Sequence, residues 1–145
     1  MVGKIVSVNI SKDKGEKKHN VGQCMLIRDK GLKDDAHAGF MHRQVSLLST
    51  DSITKIKEKG IDVGYGDFAE NLTTEGIELF TLPVGTKLKV GGGIILRVSQ
   101  IGKECHAGCA IFQQIGDCVM PREGVFAEVL TEGEVKTGDE IEVIR

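Results

Sequence analysis

Side chains alternate in type over residues 4–10, KIVSVNI, with β-branched residues throughout, which predicts a β-strand. A second short apolar run, VGQCMLIR at 21–28, predicts another. The polar SKDKGEKKHN between them reads as the tip of a long hairpin, with its lysines on a solvated loop. QVSLL at 44–48 predicts a further strand. Thr50 or Asp51 can then cap a short helix through about Lys59 that puts Ile53 and Ile56 on one face, and Gly60 is a natural stop. Residues 62–81 mix Gly, Asp and Asn with isolated apolar residues, which reads as a loop with a brief strand near Ile77–Phe80. TKLKVG at 86–91 and IILRVSQI at 94–101 flank a glycine turn and predict a hairpin. GVFAEVLTEGEVKTGDEIEVI predicts two alternating strands around a Gly/Thr/Asp turn. The sum is a mostly β chain: a small closed or nearly closed β-barrel with one or two short helices, read as one domain over residues 1–145.

Composition agrees with this pattern. Nineteen Gly and two Pro in 145 residues suit short strands with tight turns, and 40% hydrophobic with 28% charged residues is ordinary for a soluble domain. A net charge of -2, with both signs interspersed, provides no field for a nucleic-acid backbone. No run approaches the apolar length of a membrane span, and MVGKIVSVNIS lacks the layout of a secretory signal, so the expected location is cytoplasmic. There four cysteines read as thiols, metal ligands or catalytic groups in preference to disulfides.

Three of those cysteines fall in GKECHAGCAIFQQIGDC, residues 102–118. Cys105 and Cys109 form one close pair, but Cys24 and Cys118 do not form the second pair that a structural zinc site needs, and His106 adjoins Cys105. Cys24, Cys109 and Cys118 read as buried thiols. Cys105 follows a strand into a polar loop beside Lys103 and His106, where a nearby cation favours the nucleophilic thiolate, and it is the best reactive candidate. His37 and Arg43 bracket a Gly-containing loop and suit an anionic pocket, since Arg offers a planar fork to phosphate or carboxylate. Asp34 and Asp35 read as solvated loop charges, and Gly91-Gly92-Gly93 as a turn and not a phosphate loop. Glu70-Asn71-Leu72-Thr73-Thr74 reads either as a polar site or as a turn closed by its own side chains.

Taken together, DAHAGFMHRQVSLLS at 35–49, GDFAENLTTEGI at 66–77, and IGKECH followed by MPREGVFAEVLTEGEVKTGDEIEVI resemble the MOSC domain family, named for the C-terminal domain of molybdenum cofactor sulfurases. The resemblance spans about residues 3–145 in the family's order and implies a strand-rich β-barrel that handles sulfur or binds molybdenum cofactor. It implies that Cys105 is the family's cysteine, accepting a persulfide from a pyridoxal-phosphate cysteine desulfurase or ligating molybdenum. His37, Gly39 and Arg43 match the H-x-G...R-x-V segment, and Glu70, Asn71 and Thr73 match the E-N-L-T segment; by analogy these residues line the molybdopterin pocket. The implied partners are the desulfurase as donor and a molybdenum-cofactor enzyme, or the cofactor itself, as acceptor. The alternative it implies is a molybdenum-cofactor oxidoreductase acting on N-hydroxylated compounds with a separate electron donor. His106, Cys109 and Cys118 lie outside the family's minimal pattern. A third class, a structural zinc or interaction module, rests only on the incomplete cysteine spacing.

Overall fold

The computed structural model describes residues 2–13, 17–36, 38–39, 43–102 and 123–144. Its elements in chain order are β1 (Val2–Ile10), β2 (His19–Asn20), β3 (Gln23–Ile27), β4 (Gly31–Leu32), β5 (Val45–Ser49), α1 (Thr50–Lys57), β6 (Leu72–Glu75), a 3-10 turn (Leu79–Thr81), β7 (Lys87–Val90), β8 (Ile94–Ile101), β9 (Val125–Thr131), β10 (Gly133–Lys136) and β11 (Glu140–Ile144). Seven strands run in the order β11-β7-β8-β9-β5-β6-β1, and β1 pairs back with β11, Val2 opposite Glu142, so the sheet closes into a barrel. All of these pairings are antiparallel except β5 with β6, which α1 connects as a β-α-β unit.

Alternation decides which side chains enter the barrel. Val45 and Leu47 of β5 and Leu72 of β6 join Ile5, Leu88, Leu96, Val98 and Ile141 in the interior core. Leu48 points outward, where it meets Ile53 and Ile56 of α1 with Val63, Phe68 and Phe126 in a second, smaller core. In β1 the register against β6 shifts between Ile5 and Ser7. That bulge puts both Ile5 and Val8 in the interior core and leaves Ser7 and Asn9 to hydrogen-bond outside it.

A separate three-stranded sheet, ordered β10-β3-β4, contributes Leu26, Leu32 and Val135 to the interior core. The expected pairing of the first two long strands is therefore corrected. β1 forms its hairpin with the two-residue β2, Asn9 opposite Asn20, while β3 leaves to pair with β10. The C-terminal region holds three strands and not two, because β10 and β11 serve different sheets. The strand expected near Ile77–Phe80 lies earlier, at Leu72–Glu75, and Leu79–Thr81 is the 3-10 turn.

The helix α1 buries Ile53 and Ile56 as the pattern predicts. Its cap sits one residue earlier than expected: the Ser49 hydroxyl accepts the Asp51 N–H at 3.1 Å. The glycine hairpin forms as read, with Val90 opposite Ile94.

Candidate functional site

β1, β5 and β6 lie side by side, and their outward-facing polar residues form a buried seam between the barrel wall and the loop 64–70. Glu70 is fully buried. One of its carboxylate oxygens accepts the Gly66 N–H at 2.9 Å and the Thr73 hydroxyl at 2.7 Å, and the other accepts the Phe68 N–H at 3.2 Å. Burial raises the Glu70 carboxyl above the ordinary glutamate range, and these donors only partly offset it. Thr73 Oγ1 also accepts from Asn9 Nδ2 at 3.1 Å, and Asn9 Nδ2 reaches the Glu70 carbonyl at 3.1 Å.

Asn71 joins all three strands. Its side-chain oxygen accepts the Ser46 N–H at 3.0 Å and the Ser46 hydroxyl at 3.1 Å, while its Nδ2 donates to the Asn9 carbonyl at 3.1 Å. An N–H and an acceptor on one short, planar side chain suit this position, where three backbones converge. Gly66 allows the loop to come in so close. At φ +87° it holds a left-handed conformation, and a Cβ there would stand 2.1 Å from the Lys18 carbonyl oxygen.

The seam continues into an ion pair that the sequence reading missed. Lys18 Nζ donates to Asp35 Oδ1 at 2.7 Å and to the Ser11 hydroxyl at 3.0 Å, with both charged side chains fully buried. Asp35 Oδ1 also accepts the Ser11 N–H at 3.0 Å. Burial alone would raise the Asp35 carboxyl; the Lys18 ammonium and the Ser11 N–H outweigh it and hold the group below the ordinary aspartate range. The solvated-loop reading of Lys18 and Asp35 is thereby corrected. The signal available in sequence was weak: polar Ser7, Asn9 and Ser11 recur at every second position, marking a second buried face for β1.

Of the residues singled out for an anionic pocket, Gly39 is exposed at φ +81°, and its N–H donates to the Lys30 carbonyl at 2.7 Å. Arg43 is half-buried just before β5, its guanidinium carbon 5.8 Å from the centre of the Phe126 ring. Phe126 of β9 stands opposite Gln100 of β8, and the pair ends where the Gly102 N–H donates to the Gly124 carbonyl at 2.6 Å. Arg43 thus stands beside the strand pair whose two ends bound residues 103–122. His37, Cys105, His106, Cys109 and Cys118 lie outside the described residues, as does the cysteine pair considered for zinc.

Cys24 is half-buried on β3 rather than sealed in the core, and its thiol donates to the Lys33 carbonyl at 3.4 Å. Burial pushes it up, away from the thiolate form that reacts. Among the described residues no cluster of three or more His, Cys, Asp or Glu side chains is arranged to hold a metal ion. No described helix is long and apolar enough to cross a membrane.

The arrangement defines a class: a closed seven-stranded barrel with a buried polar seam between its wall and the loop 64–70. The MOSC domain model matches residues 34–142, and the chain belongs to that family. Solved structures similar to it include the YuaD protein from Bacillus subtilis, with a TM-score of 0.81 at 21% identity over 99% of this chain and 96% of that one. YiiM from Geobacillus stearothermophilus superposes with a TM-score of 0.73 at 20% identity, covering 99% of this chain and 75% of its own. YiiM from Escherichia coli does so at 0.66 and 20% identity, over 100% and 70%. A search of curated protein sequences returns no match.

Whether these residues suit a phosphorylated pterin can be judged from the described side chains. A half-buried guanidinium beside the Phe126 ring fits the anionic end of such a group. Glu70, Asn71 and Thr73 already direct their side chains to protein partners, which fits a supporting place behind a ligand.

Proposed function

We propose that this chain handles sulfur for, or binds, the molybdenum cofactor, with Cys105 as its reactive sulfur. The observation that carries this reading, together with the family match, is the position of Arg43 beside the β8–β9 pair. Cys105 lies three residues beyond Gly102, so the chain can take its Cα no more than about 11 Å from Gly102. In this reading Arg43, with His37 and Gly39, receives the phosphate of the pterin. Glu70, Asn71 and Thr73 hold β6 and the 64–70 loop in place behind it. When bound, the cofactor supplies a molybdenum centre for which a cysteine thiolate is a suitable soft ligand.

In sulfur transfer, the Cys105 thiolate attacks the outer sulfur of a persulfide on a cysteine desulfurase. The donor's sulfur–sulfur bond breaks, the donor cysteine leaves as thiolate, and Cys105 becomes the persulfide; no net oxidant is consumed. The test is intact mass after incubation with cysteine and a cysteine desulfurase, comparing wild type with Cys105→Ala. A reductant-labile gain of one sulfur atom on the wild type alone supports transfer through Cys105. Gain on both proteins removes Cys105 from the role. Gain on neither, with molybdenum retained through purification only by the wild type, assigns Cys105 to ligation instead.

A further inference from the structure

We infer that Lys18 and Asp35 are positioning residues: their buried ion pair anchors the chain that runs on from Asp35, holding Ala36, Ala38 and Gly39 in place beside the proposed site for an anionic ligand. This inference rests on the proposed function, and it concerns two residues outside the family motifs named above.

Three segments distant in sequence meet at the pair. The end of β1 contributes Ser11, whose N–H and hydroxyl both engage it. Lys18 brings in the segment after residue 17, and its own backbone N–H donates to Gly66 at 2.9 Å, joining the loop that Glu70 organises. Asp35 opens the third segment. From there the Ala36 N–H donates to the Ser11 carbonyl at 2.9 Å, the Ala38 N–H to the Asp35 carbonyl at 3.1 Å, and the Gly39 N–H to the Lys30 carbonyl at 2.7 Å. His37 and Gly39 are therefore two and four residues along the chain from a buried charge that Lys18 Nζ and the Ser11 N–H hold in place.

A buried pair of this kind is a poor source of stability, since desolvating two charges can cost more than their attraction returns, and an apolar replacement is often neutral. What it provides that apolar packing does not is direction. Asp35 Oδ1 accepts from Lys18 Nζ and Ser11 N together, so a turn of the backbone at Asp35 strains both contacts. Gly39, exposed at φ +81°, has open space where a side chain would be, so its backbone depends on the Lys30 carbonyl and on the anchor upstream at Asp35.

The test replaces the charges while keeping the shape. Lys18→Met retains the stem, and Asp35→Asn retains an oxygen for the Ser11 N–H. The double variant is compared with the wild type in thermal unfolding, in amide hydrogen exchange, and in calorimetric titration with neopterin monophosphate. The expected result is an unfolding midpoint close to that of the wild type and faster exchange at Ala36, Ala38 and Gly39 but not at Leu47 or Asn71. Affinity should fall at least about tenfold, the scale of loss when outer partners of a site are removed. A role in stability alone would not separate affinity from the midpoint in this way. Wild-type exchange at Ala36, Ala38 and Gly39 in a folded double variant overturns the inference, and so does faster exchange with undiminished affinity. If the wild type itself binds no neopterin monophosphate, the pterin-binding part of the proposed function is what fails, and the anchoring role is then decided by exchange alone.

Discussion

On their inner faces β1, β5 and β6 present Ile5, Val8, Val45, Leu47 and Leu72; on their outer faces the same strands present Ser7, Asn9, Ser46 and Thr73. Both sets are buried, yet they are held differently. The interior depends on contact and volume, and any apolar group of suitable size can contribute. The outer seam depends on each donor finding its acceptor, since an unpaired buried polar group costs more than a made hydrogen bond returns. Tolerance should therefore differ sharply across a wall one strand thick.

The largest expected effect comes from breaking the seam at its charged end. Lys18→Met leaves the Asp35 carboxylate buried without its ammonium and should cost about 3–5 kcal/mol in denaturant unfolding. Adding Asp35→Asn should recover most of that loss, a rescue with no counterpart in the interior. Next comes Leu96→Ala, which empties volume in the fully buried interior and should cost about 2–5 kcal/mol by the same measurement. Pairing it with a second truncation should deepen the loss. If Lys18→Met instead costs nothing and the double variant recovers nothing, the seam behaves like a surface and the contrast collapses.

Smaller is the loss of the helix cap. Ser49→Ala removes one acceptor at the start of α1 and should cost about 1 kcal/mol, without altering either face of the wall. The finest test is a slope against pH. Asp35 is held below its ordinary range, so its contribution is present at neutral pH and is lost as pH falls through its folded value. On acidification the wild type should lose stability relative to the Lys18→Met/Asp35→Asn variant. Glu70 is raised, so its contribution is present below the ordinary glutamate range and declines as pH rises through the folded value. As pH rises, the wild type should lose stability relative to Glu70→Gln, the opposite slope. Equal slopes for the two would show that the seam does not distinguish its carboxylates.

The interior was the legible half. Alternation in KIVSVNI, IILRVSQI and GVFAEVL marks strands whatever they pair with, and Ile53 with Ile56 marks the helix face. Pairing partners were not legible in the same way. β3 is as apolar as a barrel strand, but its place beside β10 depends on the whole chain's topology. LTTE at Leu72–Glu75 reads as a turn because its hydroxyls suit turns, and only the parallel neighbour β5 makes it a strand. The motif residues of the seam could be picked out, but their hydrogen-bond partners could not. Lys18 was hidden among other lysines, since nothing local distinguishes a buried ammonium from a solvated one.

Barrel closure carries a consequence for how the chain reaches this form. The strand that completes the ring is β11, and its partner is β1. During synthesis β1 leaves the ribosome early and must wait, with one edge open, until nearly the whole of this stretch has followed. Such distant pairing makes for slow folding and a long exposure of strand edge. The brief hairpin with β2 occupies part of β1 from the start, and the polar Ser7 and Asn9 beside it make the waiting strand a poorer template for aggregation than a wholly apolar one.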